Sequence, residues 1–307
     1  MNKVEKKLDV LCLGAAVVDI PLRPVSREVF DIESYPVDNI AMAVGGDAMN
    51  ESTIISRLGF KTGLMAAIGD DAAGAFILRS CDEDNIDTEG VTIDPNLNTS
   101  INIGLVTEDG ERTFITVQGA ECHFKKEWFE QIDMDNYENI YIAGYQVCGK
   151  SGEIISQWLK TVENVEEKHI FFAPGPMITA IESETMENLF ALKPILHINE
   201  AEAKGYTQQE NVEKAVRTLY EKSGNLVFVT LGAEGTLFYD GKEMRRVASV
   251  KTNVVDTVGA GDSHIGAIIA GMSKGMKVED AVLLANRTAA AIVGTSGPVM
   301  DLEEFQK

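Results

Sequence analysis

Short runs of apolar and β-branched residues recur along this chain at Asp9–Gly14, Ile101–Thr107, Thr113–Val117, Asn139–Gly144, His169–Ala173, Pro194–Asn199 and Leu226–Leu231. Each has the length of a strand, and most are apolar throughout, as strands covered on both faces are. Between the later runs lie the amphipathic stretches Gly152–Thr161, Glu182–Leu192 and Asn211–Lys222, each long enough for about two to three helical turns. Strands alternating with helices predict βαβ units and a mostly parallel sheet, hence an α/β fold. Towards the C-terminus, Gly259–Lys274 and Val278–Val293 are rich in Ala, Ile and small residues and predict helices packed tightly on that sheet. No repeat, low-complexity tract or proline-rich linker divides the chain, so one domain is expected over residues 1–307.

Two segments break this rhythm. Asp19–Val44 and Asn98–Cys122 hold strand-like pieces of alternating polarity and a hairpin-turn sequence, Thr107-Glu108-Asp109-Gly110-Glu111, with no helix between the pieces. Together they predict a small antiparallel sheet, from about residues 20–44 and 98–122, placed as a lid over the strand ends of the main sheet.

Composition narrows the function. The 307 residues carry 27 Lys+Arg against 48 Asp+Glu, a net charge of 27 − 48 = −21. So acidic a surface repels polyphosphate backbones, which excludes nucleic acid as a partner. No apolar run is long enough for a membrane span, and Met1–Lys7 leads into too short an apolar stretch, without a cleavage site, for a secretory signal. A cytoplasmic location is expected. Cys12, Cys81, Cys122 and Cys148 stand far apart with no C-x-x-C pair, and the four histidines show no ligand spacing, so neither a structural zinc nor a disulfide framework is expected.

Three glycine motifs carry candidate chemistry. The first is Asp256-Thr257-Val258-Gly259-Ala260-Gly261-Asp262-Ser263, placed after a β-branched run read as a strand (Val247–Val255) and opening an apolar helix. Backbone N–H groups at such a helix start, with its dipole, make an anion hole suited to phosphate. Asp262, in the first turn, would stand beside a transferring phosphoryl group, placed to take a proton from an attacking hydroxyl and held ionised by the helix end. The second is Gly45-Gly46-Asp47-Ala48-Met49-Asn50, leading into the helix Glu51–Leu58 and stopping at Gly59. A glycine pair there allows close approach of a small polar ligand, to which Asn50 offers both a donor and an acceptor. The third, Gly144-Tyr145-Gln146-Val147-Cys148-Gly149-Lys150-Ser151, matches a Walker A pattern formally. Its bulky interior and the lack of a strand ending in a Walker B aspartate predict that it does not wrap phosphate.

The two other motifs, Gly45–Asn50 in the first quarter of the chain and Asp256–Ser263 near its C-terminus, resemble in that order the paired signatures of the ribokinase-like (PfkB) carbohydrate kinases. The likeness extends over the chain through Gly14 to Asp19, Leu58-Gly59, Gly69-x-Asp71-x-x-Gly74, Asn199-Glu200-Ala201-Glu202 and Thr230-Leu231-Gly232-Ala233-Glu234-Gly235. The nearest subgroup is that of bacterial sugar and sugar-acid kinases. The resemblance implies a three-layer sandwich with a mostly parallel sheet and a β lid. It also implies transfer of the γ-phosphoryl group of ATP, with Mg²⁺, to a hydroxyl of a sugar or sugar acid. Asp262 then resembles the catalytic base, and Gly259, Ala260 and Gly261 the anion hole. Asp19, Gly45, Gly46 and Asn50 resemble the sugar-binding positions. Asn199 and Glu202 match the N-x-x-E motif, with Glu202 organising Mg²⁺ through water. Thr230, Gly232, Gly235 and Asn286 lie where the family holds nucleotide, and Asp256, with carbonyls of Val258 and near Gly297, resembles a monovalent-cation site for K⁺. A homodimer through the lid is a further implication. Two departures stand out: Ala173-Pro174-Gly175-Pro176 replaces the family's Asp-Pro-Asn segment, and His264 stands where an aromatic residue is usual. His264 is read as either a substrate contact or a packed, hydrogen-bonded side chain. A nucleoside kinase of the same fold and a non-catalytic sugar-binding regulator are the competing readings.

Overall fold

The computed structural model describes residues 7–108, 111–254 and 259–294. Its main sheet contains β1 (Leu8–Leu13), β5 (Thr62–Met65), β10 (Tyr137–Ala143), β11 (His169–Ala173), β12 (Ile195–Asn199), β13 (Val227–Thr230), β14 (Thr236–Tyr239) and β15 (Met244–Val247). The spatial order is β15-β14-β13-β12-β11-β10-β1-β5, parallel from β5 to β13 and antiparallel only at the β14–β15 edge.

Strict alternation along these strands feeds two cores. Leu11 and Leu13, Ile140 and Ile142, Ile170 and Phe172, and Val227 and Val229 point to one face, under the helices α3 (Gly149–Leu159), α4 (Ser183–Ala191), α5 (Glu200–Thr207) and α6 (Val212–Ser223). Val10 and Cys12, Tyr141, Phe171 and Phe228 point to the other, under α1 (Asp47–Arg57), α2 (Ala72–Glu83), α7 (Ala260–Ser273) and α8 (Val278–Val293). Two buried faces explain why the strands read as apolar throughout. α7 is buried from Ser263 to Gly271 because the sheet, α1 and α8 surround it, a position that tolerates apolar residues on every side.

The second sheet holds β2 (Val17–Arg23), β3 (Asn39–Ile40), β4 (Ala43–Gly45), β8 (Ile101–Val106) and β9 (Arg112–Val117); β6 (Ala67–Gly69) and β7 (Thr92–Asp94) pair separately. The lid thus forms from the two expected segments, but it is mixed and not antiparallel. β2 runs parallel to β8, pairing Asp19 with Asn102, while β3, β4 and β9 are antiparallel to their neighbours. Both β2 and β8 leave the main body in the same direction, and the long intervening chain removes the antiparallel constraint that a hairpin imposes.

The run Val247–Val255 also departs from expectation. Val247 ends β15 at the sheet edge, and residues 248–254 form no strand. Among the described residues no strand lies beyond β15, so the β-branched residues have no ladder to join there. The carbonyls of Val247 and Ala248 accept hydrogen bonds from the Asn286 side chain instead. Among the described residues, no helix is long and apolar enough to cross a membrane.

Candidate active site

The chain leaves β1 through Gly14–Ala16 and meets the start of α1. Asp47 Oδ1 accepts from the N–H groups of Ala15 (2.8 Å) and Ala48 (2.9 Å), and Met49 N–H donates to the Ala15 carbonyl (3.1 Å), so the helix start is laced to the end of β1. The glycine pair just before it is required sterically. Gly46 has φ +94°, and a Cβ on Gly45 would lie 2.1 Å from Asp19 Oδ2. Asp19, on β2, therefore lies directly against the α1 turn, and Asn102 Nδ2 reaches from β8 to donate to its Oδ1 (2.9 Å).

From the other end of the sequence, α7 begins at Gly259, which is left-handed at φ +73°, and presents Asp262 in its first turn. Asn50 Nδ2 donates to Asp262 Oδ2 at 2.7 Å across 212 residues of sequence. The opposite oxygen, Asn50 Oδ1, is buried with no partner among the described residues. A Cβ on Gly261 would meet no other atom within 4 Å among the described residues. Asp19, Gly45, Gly46, Asn50, Gly261 and Asp262 thus come together, as the two motifs imply.

Electrostatics changes one expectation. Burial raises the Asp262 carboxyl, and the charge of Asp19 adds to it; the Asn50 hydrogen bond offsets only part. The helix end does not hold this carboxyl low, because desolvation outweighs the dipole. Asp47 is pushed up to about 7, chiefly by burial, against its two backbone hydrogen bonds. One turn on, Glu51 is fully buried, accepts from the Tyr141 hydroxyl (2.8 Å), and is raised well above the usual carboxylate range by burial and by the charges of Asp262 and Asp47.

At the end of β12, Asn199 and Glu202 form a capping box at α5: Asn199 Oδ1 accepts from Glu202 N–H (2.9 Å) and Glu202 Oε2 from Asn199 N–H (3.0 Å). The Tyr145 phenol is raised, first by burial and then by the charges of Asp47, Asp262 and Glu202. Thr230 ends β13, and the turn after it closes through Leu231 N–H to the Gly235 carbonyl (2.8 Å). Gly232 opens onto free space, whereas a Cβ on Gly235 would lie 2.0 Å from the Val247 carbonyl. Asn286 is buried and committed internally, to Thr236 and His264 as well as to Val247 and Ala248.

His264 is packed and hydrogen-bonded. Its Nδ1 meets His197 Nε2 at 2.9 Å, and its Nε2 meets Thr236 Oγ1 (2.8 Å) and Asn286 Oδ1 (3.0 Å). Because the Asn286 amide nitrogen donates to two carbonyls, Oδ1 is an acceptor; this fixes His264 with its proton on Nε2 and His197 donating to Nδ1. Burial drives both imidazoles down, His264 to about 4 and His197 well below its usual value. Asp256 and Val258, with the carbonyls near Gly297, lie outside the described residues.

The Walker-like segment is occupied by structure. Gly149 N–H donates to the Glu182 carboxylate (3.0 and 3.1 Å), Ser151 Oγ bridges Phe124 N–H and the Cys122 carbonyl, and Lys150 pairs with Glu153 on the surface. The sequence reading missed Asp47, Glu51 and Asn102. Asp47 and Glu51 were detectable as acids four apart on a helix otherwise directed inward. Asn102 becomes visible only once β8 is known to pair with β2.

The described sheet order, the helical layers on both faces and the small second sheet are those of the ribokinase-like fold. The chain belongs to the pfkB family carbohydrate kinases, whose family model matches residues 7–304. It is 28% identical over 305 residues to the uncharacterized sugar kinase YegV of Escherichia coli, covering 97% of this chain and 92% of that protein. Among solved structures it is similar to an adenosine kinase from Sinorhizobium meliloti (TM-score 0.81, 23% identity, 98% of both chains). It is also similar to a ribokinase from Cryptococcus neoformans in complex with ADP (TM-score 0.77, 20% identity, 98% of this chain and 99% of that one). Members of this family are phosphotransferases that act on sugar hydroxyls, and this chain is an enzyme of that kind.

Proposed function

We propose that this protein transfers the γ-phosphoryl group of ATP to a hydroxyl of a sugar or sugar acid, with Asp262 as the base. The observation that carries the reading is the Asn50–Asp262 hydrogen bond, which joins the two glycine turns around a buried, unpartnered amide oxygen. A buried acceptor without a partner costs free energy, and a sugar hydroxyl placed there would satisfy it. Asp19, fixed by Asn102, and the glycine backbone at Gly45 and Gly46 complete a polar cradle. Asp262 takes the proton as the hydroxyl oxygen bonds to phosphorus and the bond to ADP breaks. A base raised by burial accepts that proton more readily than an exposed carboxylate, provided it stays ionised at the working pH.

Gly259, Ala260 and Gly261 would direct their N–H groups at the transferring phosphoryl group. The nucleotide would lie along Thr230, Gly232 and Gly235, and Mg²⁺, which supplies charge neutralisation on the phosphates, would be held through water by Glu202, an oxygen donor suited to it. Asp256 is assigned to K⁺. Asn286 acts in this scheme from behind the site, by holding Val247 and Ala248. The whole chain is read as one domain working in the cytoplasm, where ATP is supplied.

The lid also supports a homodimer. Ile40, Met42, Phe114, Ile115 and Val117 are exposed on and beside it, and among the described residues β9 is an edge strand. Light scattering should give a dimer that Val117→Lys dissociates.

The functional test is ADP release on mixing the protein, ATP and Mg²⁺ with aldoses, ketoses, aldonates and nucleosides. Turnover of a sugar or aldonate, abolished in Asp262→Asn, is expected. Turnover of nucleosides alone would replace the substrate class, and sugar binding without ADP release would make the protein a regulator.

A further inference from the structure

The Gly69-x-Asp71-x-x-Gly74 motif lies outside the cleft, and its side chains explain what it does. Asp71 caps α2, its Oδ1 accepting from Gly74 N–H (2.8 Å), but its Oδ2 accepts at 2.8 Å from the N–H of Thr99, on a segment 28 residues further on. Thr99 answers: its Oγ1 accepts from Gly69 N–H (2.9 Å). Residues 97–100 are the strap from which β8 leaves the main body. The return strap after β9 is tied to the same place, through Ala120 N–H to the Asn98 carbonyl (2.9 Å) and Ser100 Oγ to the Val117 carbonyl (2.7 Å).

The fit is tight on both sides. A Cβ on Gly69 would lie 2.4 Å from the Leu97 carbonyl, and one on Gly119 would lie 2.2 Å from the Asn98 carbonyl. Burial by itself would raise the Asp71 carboxyl, but the N–H groups of Thr99 and Gly74 prevail and hold it below the usual carboxylate range. An ionised, doubly accepting Asp71 is therefore the stable form.

We propose that Asp71 and Thr99 form a clasp that sets the position of the lid strand β8, and through it the Asn102 amide that orients Asp19. Thr99 lies two residues before β8 begins and three before Asn102, so a shift at the strap is carried into β8 and displaces Asn102 along β2. Asp71 is a positioning residue: it touches neither acceptor nor nucleotide. The link to sugar binding rests on the functional reading above, whereas the link to the lid does not.

Asp71→Asn keeps one acceptor oxygen but sets an N–H₂ group against an N–H donor, so one of the two bonds must fail. Thr99→Val keeps the shape and removes the acceptor for Gly69, and Thr99→Ser restores it. Hydrogen exchange by mass spectrometry on the ligand-free protein reads the clasp directly. In Asp71→Asn and Thr99→Val, amides of 101–106 and 112–117 should exchange about tenfold faster while those of 137–143 stay unchanged, and Thr99→Ser should behave as wild type. With D-ribose, D-fructose and D-gluconate as acceptors, the acceptor KM should rise about tenfold, with the ATP KM within about twofold. Lid exchange identical to wild type in either folded variant overturns the proposal. Faster lid exchange in an enzyme whose wild type phosphorylates none of these acceptors supports the clasp and counts against the functional reading alone.

Discussion

Asn50 Nδ2 donates to Asp262 Oδ2 at 2.7 Å, and this bond opposes the burial that raises the Asp262 carboxyl. Removing it leaves only a backbone hydrogen bond of Asp262 to oppose burial and the Asp19 charge. In Asn50→Ala the acid limb of the kcat/KM profile should therefore move to higher pH, by about one unit, the scale of one charge-assisted hydrogen bond. A limb that stays in place would mean that a group other than Asp262 is titrating.

Asp262→Asn keeps the shape and removes the base. A positioned general base contributes about 10²–10⁴-fold, so kcat should fall by that factor, while ADP affinity by calorimetry stays near wild type because the helix-end N–H groups survive. A folded variant that keeps a tenth of kcat with chemistry rate-limiting would require a different base.

Lys150→Ala should leave the ATP KM within about threefold, since Lys150 is paired with Glu153 on the surface. Ser151→Ala, by contrast, strips the bridge between Phe124 and Cys122 and should cost about 1–3 kcal/mol in denaturant unfolding without altering ATP binding. A large loss of nucleotide affinity in Lys150→Ala would return the segment to a phosphate-binding role.

Two buried groups give opposite pH slopes. Asp47 rises from 3.8 unfolded to about 7 folded, so its favourable contribution exists at low pH and is lost as pH climbs through that window. His264 falls from 6.5 to about 4, so its contribution exists above 6.5 and is lost as pH drops towards 4. Asp47→Asn keeps an oxygen for Ala15 and Ala48 and deletes the first slope. Its unfolding free energy relative to wild type should grow between pH 4 and 7, by at most about 4 kcal/mol. A difference that is flat with pH would show that folding does not raise the Asp47 carboxyl.

The sequence was readable wherever both strand faces are apolar, as in Ile140–Ala143 or Val227–Val229, because burial there leaves no competing pattern. It misled where pairing, and not composition, decides. Val250 and Val254 resemble the continuation of a strand yet lie beyond the end of β15, and the lid segments resemble hairpins although β2 and β8 run parallel. The glycine turns announced the site because their backbone is chemically constrained. Glu51 and Asn102 did not, since their importance arises from neighbours distant in sequence: Tyr141 for one, Asp19 for the other.

The chain His197–His264–Thr236–Asn286 makes four positions on four different elements inseparable. Each side chain is the partner of the next, so exchanging one alone for an apolar residue strands a buried donor or acceptor, while exchanging all four together releases only the Val247 and Ala248 carbonyls that Asn286 holds. Relatives with an aromatic residue in place of His264 should then carry coordinated changes at the positions of His197, Thr236 and Asn286. An engineer who grafts the family's usual aromatic onto this helix must transplant the whole quartet.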